Sequence, residues 1–471
     1  MLKKDFLNKH LKNIDESYFT HMRHALYFSV KSFGAGFILL LHSIAPFVLI
    51  TNGSSIITRL YNIMTVRNQV IRLSAVKDKN VAIVGFGLSG LLAFLNLVKH
   101  HKKHSQKLEI TIFEKSRFYC KGTAYSTKNI NHLLNVPAYR MGVIDQDREH
   151  FYKWLTSKGY NYSKNDFVPR QIFGVYLEDV LESALKIADK KGISYKFINK
   201  EISEIGIKSN HYVINHSAYN HCILSTGVRL KNWDKNFWKV NLTEYLNKHE
   251  VHLIGCGLTA FDAAISLRDL NFKGTIFMHS RTGKMPQMHQ IPAPGAKVEP
   301  VLTLQDASLP LSQIFKKFAN ACKHSPNWRL HFDTLRPMTQ DFWKALTVEK
   351  KKRFMRHCFR LWNVHRHRCP ESQYQIINEM FKAKKLIFSK KKPNEKNVID
   401  CTGFDYGFKS HLVDSLLKNE IVEFDELKAG IISQKPNFHI MGGLNFGNTF
   451  EITAVPDIAS QAHKVARSIL N

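Results

Sequence analysis

Acidic residues are scarce in this chain: 38 Asp and Glu stand against 68 Lys and Arg in 471 residues, a formal charge of +30. That balance excludes an acidic, solvating protein and gives long-range attraction to anions of any kind: nucleic acid, lipid headgroups or phosphorylated cofactors. The excess is spread along the chain, with local runs at 350–353 and 390–392, the pattern of a solvated basic surface. No nucleic-acid-binding module accompanies it, so nucleic acid is not an expected partner. Cysteine is sparse too. The seven residues at 120, 222, 256, 322, 358, 369 and 401 form no C-x-x-C pair, which argues against a disulfide framework or a structural metal site. They read as reduced thiols of a cytosol-facing protein, with Cys256 and Cys401 inside apolar, strand-like runs.

What is present suits packed interiors. Hydrophobic residues make up 44% and aromatics 11% of the chain, and the length calls for two large units and something extra. The extra part is N-terminal. Phe33–Thr51 runs 19 residues without Asp, Glu, Lys or Arg, which as a helix would span about 28 Å, close to a hydrocarbon core of ~30 Å. His42 and Pro46 interrupt it, Gly34 and Gly36 weaken its start, and it lies too far from Met1 for a secretory signal. Basic residues flank both sides: Lys3, Lys4, Lys9, Lys12, Arg23 and Lys31 before it, and Arg59, Arg67, Arg72, Lys77 and Lys79 after it. Charge therefore sets no orientation. A single span would push six cations across the bilayer, so a re-entrant or interfacial segment touching membrane lipid is the expectation, with a buried soluble helix as the alternative. Residues 10–65 resemble a small uncharacterised bacterial domain with one apolar helix.

The enzyme-like part begins with a strand, a glycine turn and a helix. Val81–Val84 is a continuous apolar run, Gly85-Phe86-Gly87-Leu88-Ser89-Gly90 follows, and Leu88, Leu91, Leu92, Leu95 and Val98 then fall at helical spacing. Gly85 permits a tight turn, Gly87 lets backbone approach a pyrophosphate, and Gly90 lets helix pack on strand. The next strand, Leu108–Phe113, ends at Glu114, whose carboxylate suits ribose hydroxyls and repels a 2′-phosphate. This turn therefore favours FAD or NAD.

A second copy starts at Val251–Ile254 and turns at Gly255-Cys256-Gly257-Leu258-Thr259-Ala260, with Ala260 replacing the third glycine. Its following strand, Thr275–His279, runs into Ser280-Arg281 where the first copy has Glu114. A hydroxyl and a guanidinium hold a 2′-phosphate, so this site favours NADPH. Two further apolar strands end in Thr226-Gly227 and Thr402-Gly403. Their order suits a nicotinamide domain inserted in a flavin domain. The expected organisation is an α/β chain with two Rossmann-like dinucleotide-binding domains: 1–66 membrane-associated, 67–79 linker, 80–245 FAD domain, 246–405 NADPH domain with a helical insertion at about 300–385, and 406–471 FAD domain again.

Several longer segments go beyond the generic pattern: GTAYS from Gly122, HLLNVPAYRMG from His132, FVPRQIFGVYL from Phe167, HSRTGKMP from His279, LWNVHRHRCP from Leu361 and FEITAVPDIASQA from Phe450. Together they resemble the bacterial FAD/NAD(P)-binding proteins related to FAD-dependent urate hydroxylase and aspartate N-monooxygenase, over about residues 80–471. The resemblance implies that NADPH supplies electrons to FAD, that O₂ is consumed, and that one oxygen atom reaches a small polar substrate, with N-hydroxylation one form of that reaction. It places Asn135 near the flavin. It assigns no catalytic side chain, since the cofactor carries the hard chemistry. His365 and His367, two apart on a helix, make a poor chelate, and Arg366 and Arg368 are candidates for a structural or anion-binding role. Asn437–Gly443 resembles the strand that holds the flavin ribityl chain, without the acid common after its glycine. A flavin reductase passing electrons to a quinone or protein, and a non-catalytic redox sensor, are the competing readings. The cytoplasmic side of a bacterial membrane is the expected location.

Overall fold

The computed structural model describes residues 18–471 except 50, 76–77, 103–105, 117–118, 145–146, 229, 293–294, 392, 394–395 and 406–409. Lys3, Lys4, Lys9, Lys12, Lys77 and Lys392 lie outside the described residues.

The described residues open with a helical hairpin, α1 (Tyr18–Ile44) packed against α2 (Asn52–Ala75). The sequence reading placed one helix over 33–51, and the structure divides that run. Pro46 lacks an N–H and disfavours helical backbone in the residue before it, so α1 stops at Ile44. His42 Nδ1, 2.9 Å from Val48 O, closes the turn, and Leu49 takes a positive φ of 57°. At the hairpin end a Cβ on Gly53 would stand 2.8 Å from the Leu39 side chain, so the helices meet closely there. Within α1 only Ala35 is buried, and Phe33 is 81% exposed. α1 is long and apolar enough to cross a membrane.

Residues 67–79, read from their charge as a connector, are helical up to Ala75. α2 docks on the body: Val66 packs on Ala218 and Val213, and Gln69 Oε1 accepts from Ala218 N–H at 2.8 Å. Its seat is the small antiparallel sheet of β4 (Gly206–Lys208), β5 (His211–Ile214) and β6 (Ser217–Tyr219).

The first large sheet is parallel. It combines β1 (Lys79–Val84), β2 (Leu108–Glu114), β3 (Ser194–Asn199), β7 (His221–Leu224) and the much later β14 (Phe438–Ile440), in the order β14-β7-β1-β2-β3. Strands covered on both faces are apolar, as β1 is from Val81 to Val84. α3 (Leu88–His100) is buried on nearly every side, as a helix apolar all round must be. It lies against α4 (Arg170–Lys191) and against the last helix of the chain, Val455–Leu470.

A second parallel sheet, β10-β9-β8-β11, is built from β8 (Glu250–Ile254), β9 (Thr275–His279), β10 (Leu386–Ser389) and β11 (Val398–Asp400), with α5 (Leu258–Asp269) crossing from β8 to β9. All its strands fall between β7 and β14, so the second sheet is inserted in the first. Between β9 and β10 the chain is helical: α6 (Leu311–Lys323), α7 (Trp328–Leu335), α8 (Thr339–Ala345), α9 (Val348–His357), α10 (Phe359–Arg366) and α11 (Glu371–Lys382). This insert has its own aromatic core, which Phe446, Phe450 and Ile452 from the C-terminal region complete. β12 (Val422–Phe424) and β13 (Ile431–Ser433) form a hairpin before β14, and α12 (Val455–Leu470) ends the chain.

Candidate dinucleotide sites

At the first turn the three glycines have separable causes. Gly85 has φ +90°, and a Cβ there would lie 2.6 Å from Thr226 Cα, so the turn and the Thr226-Gly227 crossing are pressed together. A Cβ on Gly90 would collide with the Gly85 carbonyl oxygen. Gly87 is different. Its φ of −75° suits any residue, and a Cβ would meet nothing nearer than Gly122 Cα at 3.5 Å, an ordinary contact. Nothing among the described residues requires glycine at 87; a phosphate laid on the backbone would.

Glu114 stands at the mouth of this turn. Phe86 N–H donates to its Oε2 at 2.6 Å and Ser116 N–H to its Oε1 at 2.9 Å, which orients the carboxylate and leaves each oxygen a lone pair for a ribose hydroxyl. Ser89 faces the C-terminal segment: a Cβ on Gly442 (φ +70°) would be 2.6 Å from Ser89 Oγ. Gln461 ties this segment to the last helix, its Oε1 accepting from Gly442 N–H at 2.9 Å while its Nε2 donates to Ile440 O at 3.0 Å. Gly85, Gly87, Ser89, Gly90, Glu114, Thr226 and Gly227 thus converge with Gly442 at one end of the sheet.

The second turn repeats the pattern with less around it. Gly255 has φ +114°, and a Cβ would stand 2.9 Å from Cys401 O, next to the Thr402-Gly403 crossing. Gly257 (φ −84°) faces open space and, like Gly87, meets no constraint among the described residues that requires glycine. Ala260 is fully buried, its methyl accommodated. Thr259 lies half-buried in the first turn of α5. Ser280 N–H donates to Ser389 O at 3.1 Å, and Arg281 is exposed and forms no ion pair among the described residues. Arg360 on α10, which sequence reasoning missed, lies close enough for its charge to lower the Cys256 thiol pKa, against the burial that raises it more. The two crossings adjoin, with Lys231 N–H donating to Gly403 O at 3.1 Å.

Asn135 is not brought to the first turn by any contact of this kind. Its carbonyl receives His289 Nε2 at 3.0 Å, from the loop after β9. Burial holds His289 down to about 4, so it is neutral and donates there.

Sequence reasoning also missed the latch between the two units. Arg170, from the FVPRQ segment, pairs through Nη1 with buried Asp262 Oδ2 on α5 at 2.9 Å, and its Nε donates to Leu133 O at 3.0 Å. His132 bridges Thr127 Oγ1 and Ser266 Oγ, 2.7 Å from each. The HLLN and VPRQ motifs therefore tie the first unit to the crossover helix of the second. The one sequence signal was a lone Asp within an apolar helix run, Phe261-Asp262-Ala263, which marks a buried acid and not its partner.

Comparison with known proteins bears on the fold. Residues 82–229 match the profile of a family described as FAD-NAD(P)-binding, and residues 4–68 match a family of unknown function, DUF6356. No curated protein matches the sequence. Among solved structures, ornithine hydroxylase PvdA from Pseudomonas aeruginosa superposes with a TM-score of 0.51 at 10% identity, covering 83% of this chain and 98% of that one. DfoA from Erwinia amylovora, a cadaverine monooxygenase of desferrioxamine biosynthesis solved with FAD, gives 0.51 at 12% identity, covering 83% and 94%. At these identities the likeness is one of fold, and the fold is that of the FAD/NAD(P)-binding Rossmann flavoproteins, with residues 82–229 its matched FAD-NAD(P)-binding region.

Proposed function

We propose that this chain is an FAD-dependent, NADPH-using monooxygenase acting on a small molecule and held against the cytoplasmic face of a membrane by its N-terminal hairpin. The observation that supports the reading is the pair of strand–turn–helix units whose middle glycines, Gly87 and Gly257, would bring a Cβ no nearer than 3.5 Å to any described neighbour and so leave room for a pyrophosphate, each beside a strand end of opposite charge. FAD, when bound, supplies the redox chemistry between NADPH and O₂. Gly87 lets the pyrophosphate lie on the first turn, and Glu114 accepts from the adenosine ribose. Ser280 and Arg281 take the 2′-phosphate of NADPH. The Arg170–Asp262 latch keeps the two nucleotide sites in register.

The cysteines favour this over a dithiol reductase. All seven are free, five are buried, and burial raises Cys120 and Cys369 to about 12, far from a reactive thiolate. The exposed apolar face of α1 supports lipid contact, since monomeric soluble surfaces seldom carry contiguous apolar patches of that kind.

The test is purification of the full chain, a flavin spectrum, and parallel measurement of NADPH and O₂ consumption against amines, amino acids and purines. Bound FAD and matched, substrate-stimulated consumption are expected. NADPH oxidation that proceeds with a quinone and without O₂ would establish the reductase instead. Removing residues 1–51 should release the protein from vesicles with its FAD retained.

A further inference from the structure

The helical insert holds a cavity of ≈ 500 Å³, in the volume range of small-molecule sites, that neither glycine turn uses. It touches elements of both nucleotide units. Lys284, in the loop after β9, lines it, and the Lys284 carbonyl accepts from Cys256 Sγ of the second turn at 3.0 Å. Phe450 lines it too, in the segment that runs on from Gly442 beside the first turn.

The wall is built to stay apolar. Phe318, Phe332, Leu335 and Trp343 belong to the buried core of the insert. Phe450 holds φ +52° and Glu451 φ +47°, a backbone that such residues rarely adopt, and the Phe450 ring stacks on Trp343 at 4.3 Å. Donors on the wall are spent within the chain. Trp343 Nε1 donates to Gly447 O at 2.8 Å and Trp362 Nε1 to Glu451 Oε1 at 2.7 Å. Thr339 Oγ1 donates to Leu335 O and His365 Nδ1 to Leu361 O, each at 2.8 Å. Cys322 is a neutral thiol, raised by burial to about 11.

The charges on the lining have one sign. Among the described residues no Asp or Glu lines the cavity, while Lys284 and Lys323, both exposed, do. The nearby acids lie outside the lining and are already paired, Glu451 with Arg366 at 3.1 Å and Asp333 with Arg368 at 2.7 Å. An ammonium carried into this chamber would give up its water and find no counter-ion, whereas an apolar body gains in proportion to the area it buries. We propose that the insert cavity is the substrate site and takes an apolar aliphatic or aromatic molecule that bears no positive charge. The assignment to the substrate rests on the monooxygenase reading above, and it replaces the small polar substrate expected from the sequence.

The test titrates the flavin-loaded full-length protein with octanol and, separately, with the eight-carbon diamine that has an amine at each end. Emission of Trp328, Trp343 and Trp362 in the wall reports binding. No tryptophan precedes Trp154, so alcohol adsorbed on the apolar N-terminal hairpin adds nothing to the signal. Octanol is expected to bind about tenfold or more tighter than the diamine, which cannot place its chain without carrying an ammonium in. Ala319→Leu, which narrows the cavity, should weaken octanol several-fold with flavin content unchanged. Equal binding of the two ligands, a preference for the diamine, or octanol binding untouched in a folded Ala319→Leu protein would overturn the proposal. If that variant does not fold, the preference of the unaltered protein decides alone. NADPH consumption is recorded in the same titrations. Stimulation by octanol supports the substrate assignment, and stimulation by the diamine with octanol silent overturns it. Selective octanol binding in a protein that consumes NADPH with neither ligand supports the site and counts against the monooxygenase reading.

Discussion

The two glycine turns share a fold and differ in their surroundings. The first is hemmed in by Thr226, Gly122 and Gly442, and its acid is pinned by two backbone N–H groups. The second leaves Gly257 facing open space and ends in an exposed Arg281 with no ion pair among the described residues. Under the proposed function the difference has a use: a nucleotide enclosed by three chain segments would be retained, and one offered an open turn and an exposed cation would exchange. Retention suits a resident flavin and exchange suits a coenzyme consumed at every turnover.

The sharpest way to break this comparison is to add the same side chain to both turns. Gly87→Val should leave a folded, soluble protein without flavin, because the valine meets only Gly122 in the protein and the pyrophosphate in the complex. Gly257→Val should keep its flavin and lose response to NADPH. Absorbance and circular dichroism decide it, and full flavin in Gly87→Val would sink the assignment.

Next in size is the latch that holds the turns together. Arg170→Met leaves Asp262 buried and unpaired, which for such pairs costs about 3–5 kcal/mol, so a large fall in Tm is expected. Replacing both partners, Arg170→Met with Asp262→Leu, should recover much of it. A Tm unchanged by the single variant would show that the two units are not coupled through this pair.

The smallest expected effect is at the open turn. A charged phosphate contact is worth about 1.5–3 kcal/mol, or roughly one to two powers of ten in affinity. Arg281→Ala should raise KM for NADPH by about that factor with NADH little affected, and Arg281→Glu should go further. Neither should alter flavin content. Equal losses with both coenzymes would remove the phosphate from Arg281, and Arg360 would be the next residue to test.

Much of this was legible in the chain itself. Apolar strands of four to six residues ending in glycine turns are local signals, and so are Glu114 and Arg281 at the ends of the strands that follow; local spacing and backbone conformation dictate them, and the structure places them as the spacing requires. The hairpin was half legible. Pro46 was visible as an interruption, but where α1 ends and how α2 seats on β6 depend on Val66, Gln69 and Ala218, which lie about 150 residues apart in sequence. The latch and the ion pairs beside the cavity were decided only in three dimensions. Arg170 meets Asp262, and Arg366 meets Glu451, across 92 and 85 residues, and no periodicity marks which of 68 cations will be buried beside which of 38 acids. Local chemistry determined that two nucleotides fit this chain; long-range packing, which alone sets burial and therefore the strength of every charge, decided what lies between them.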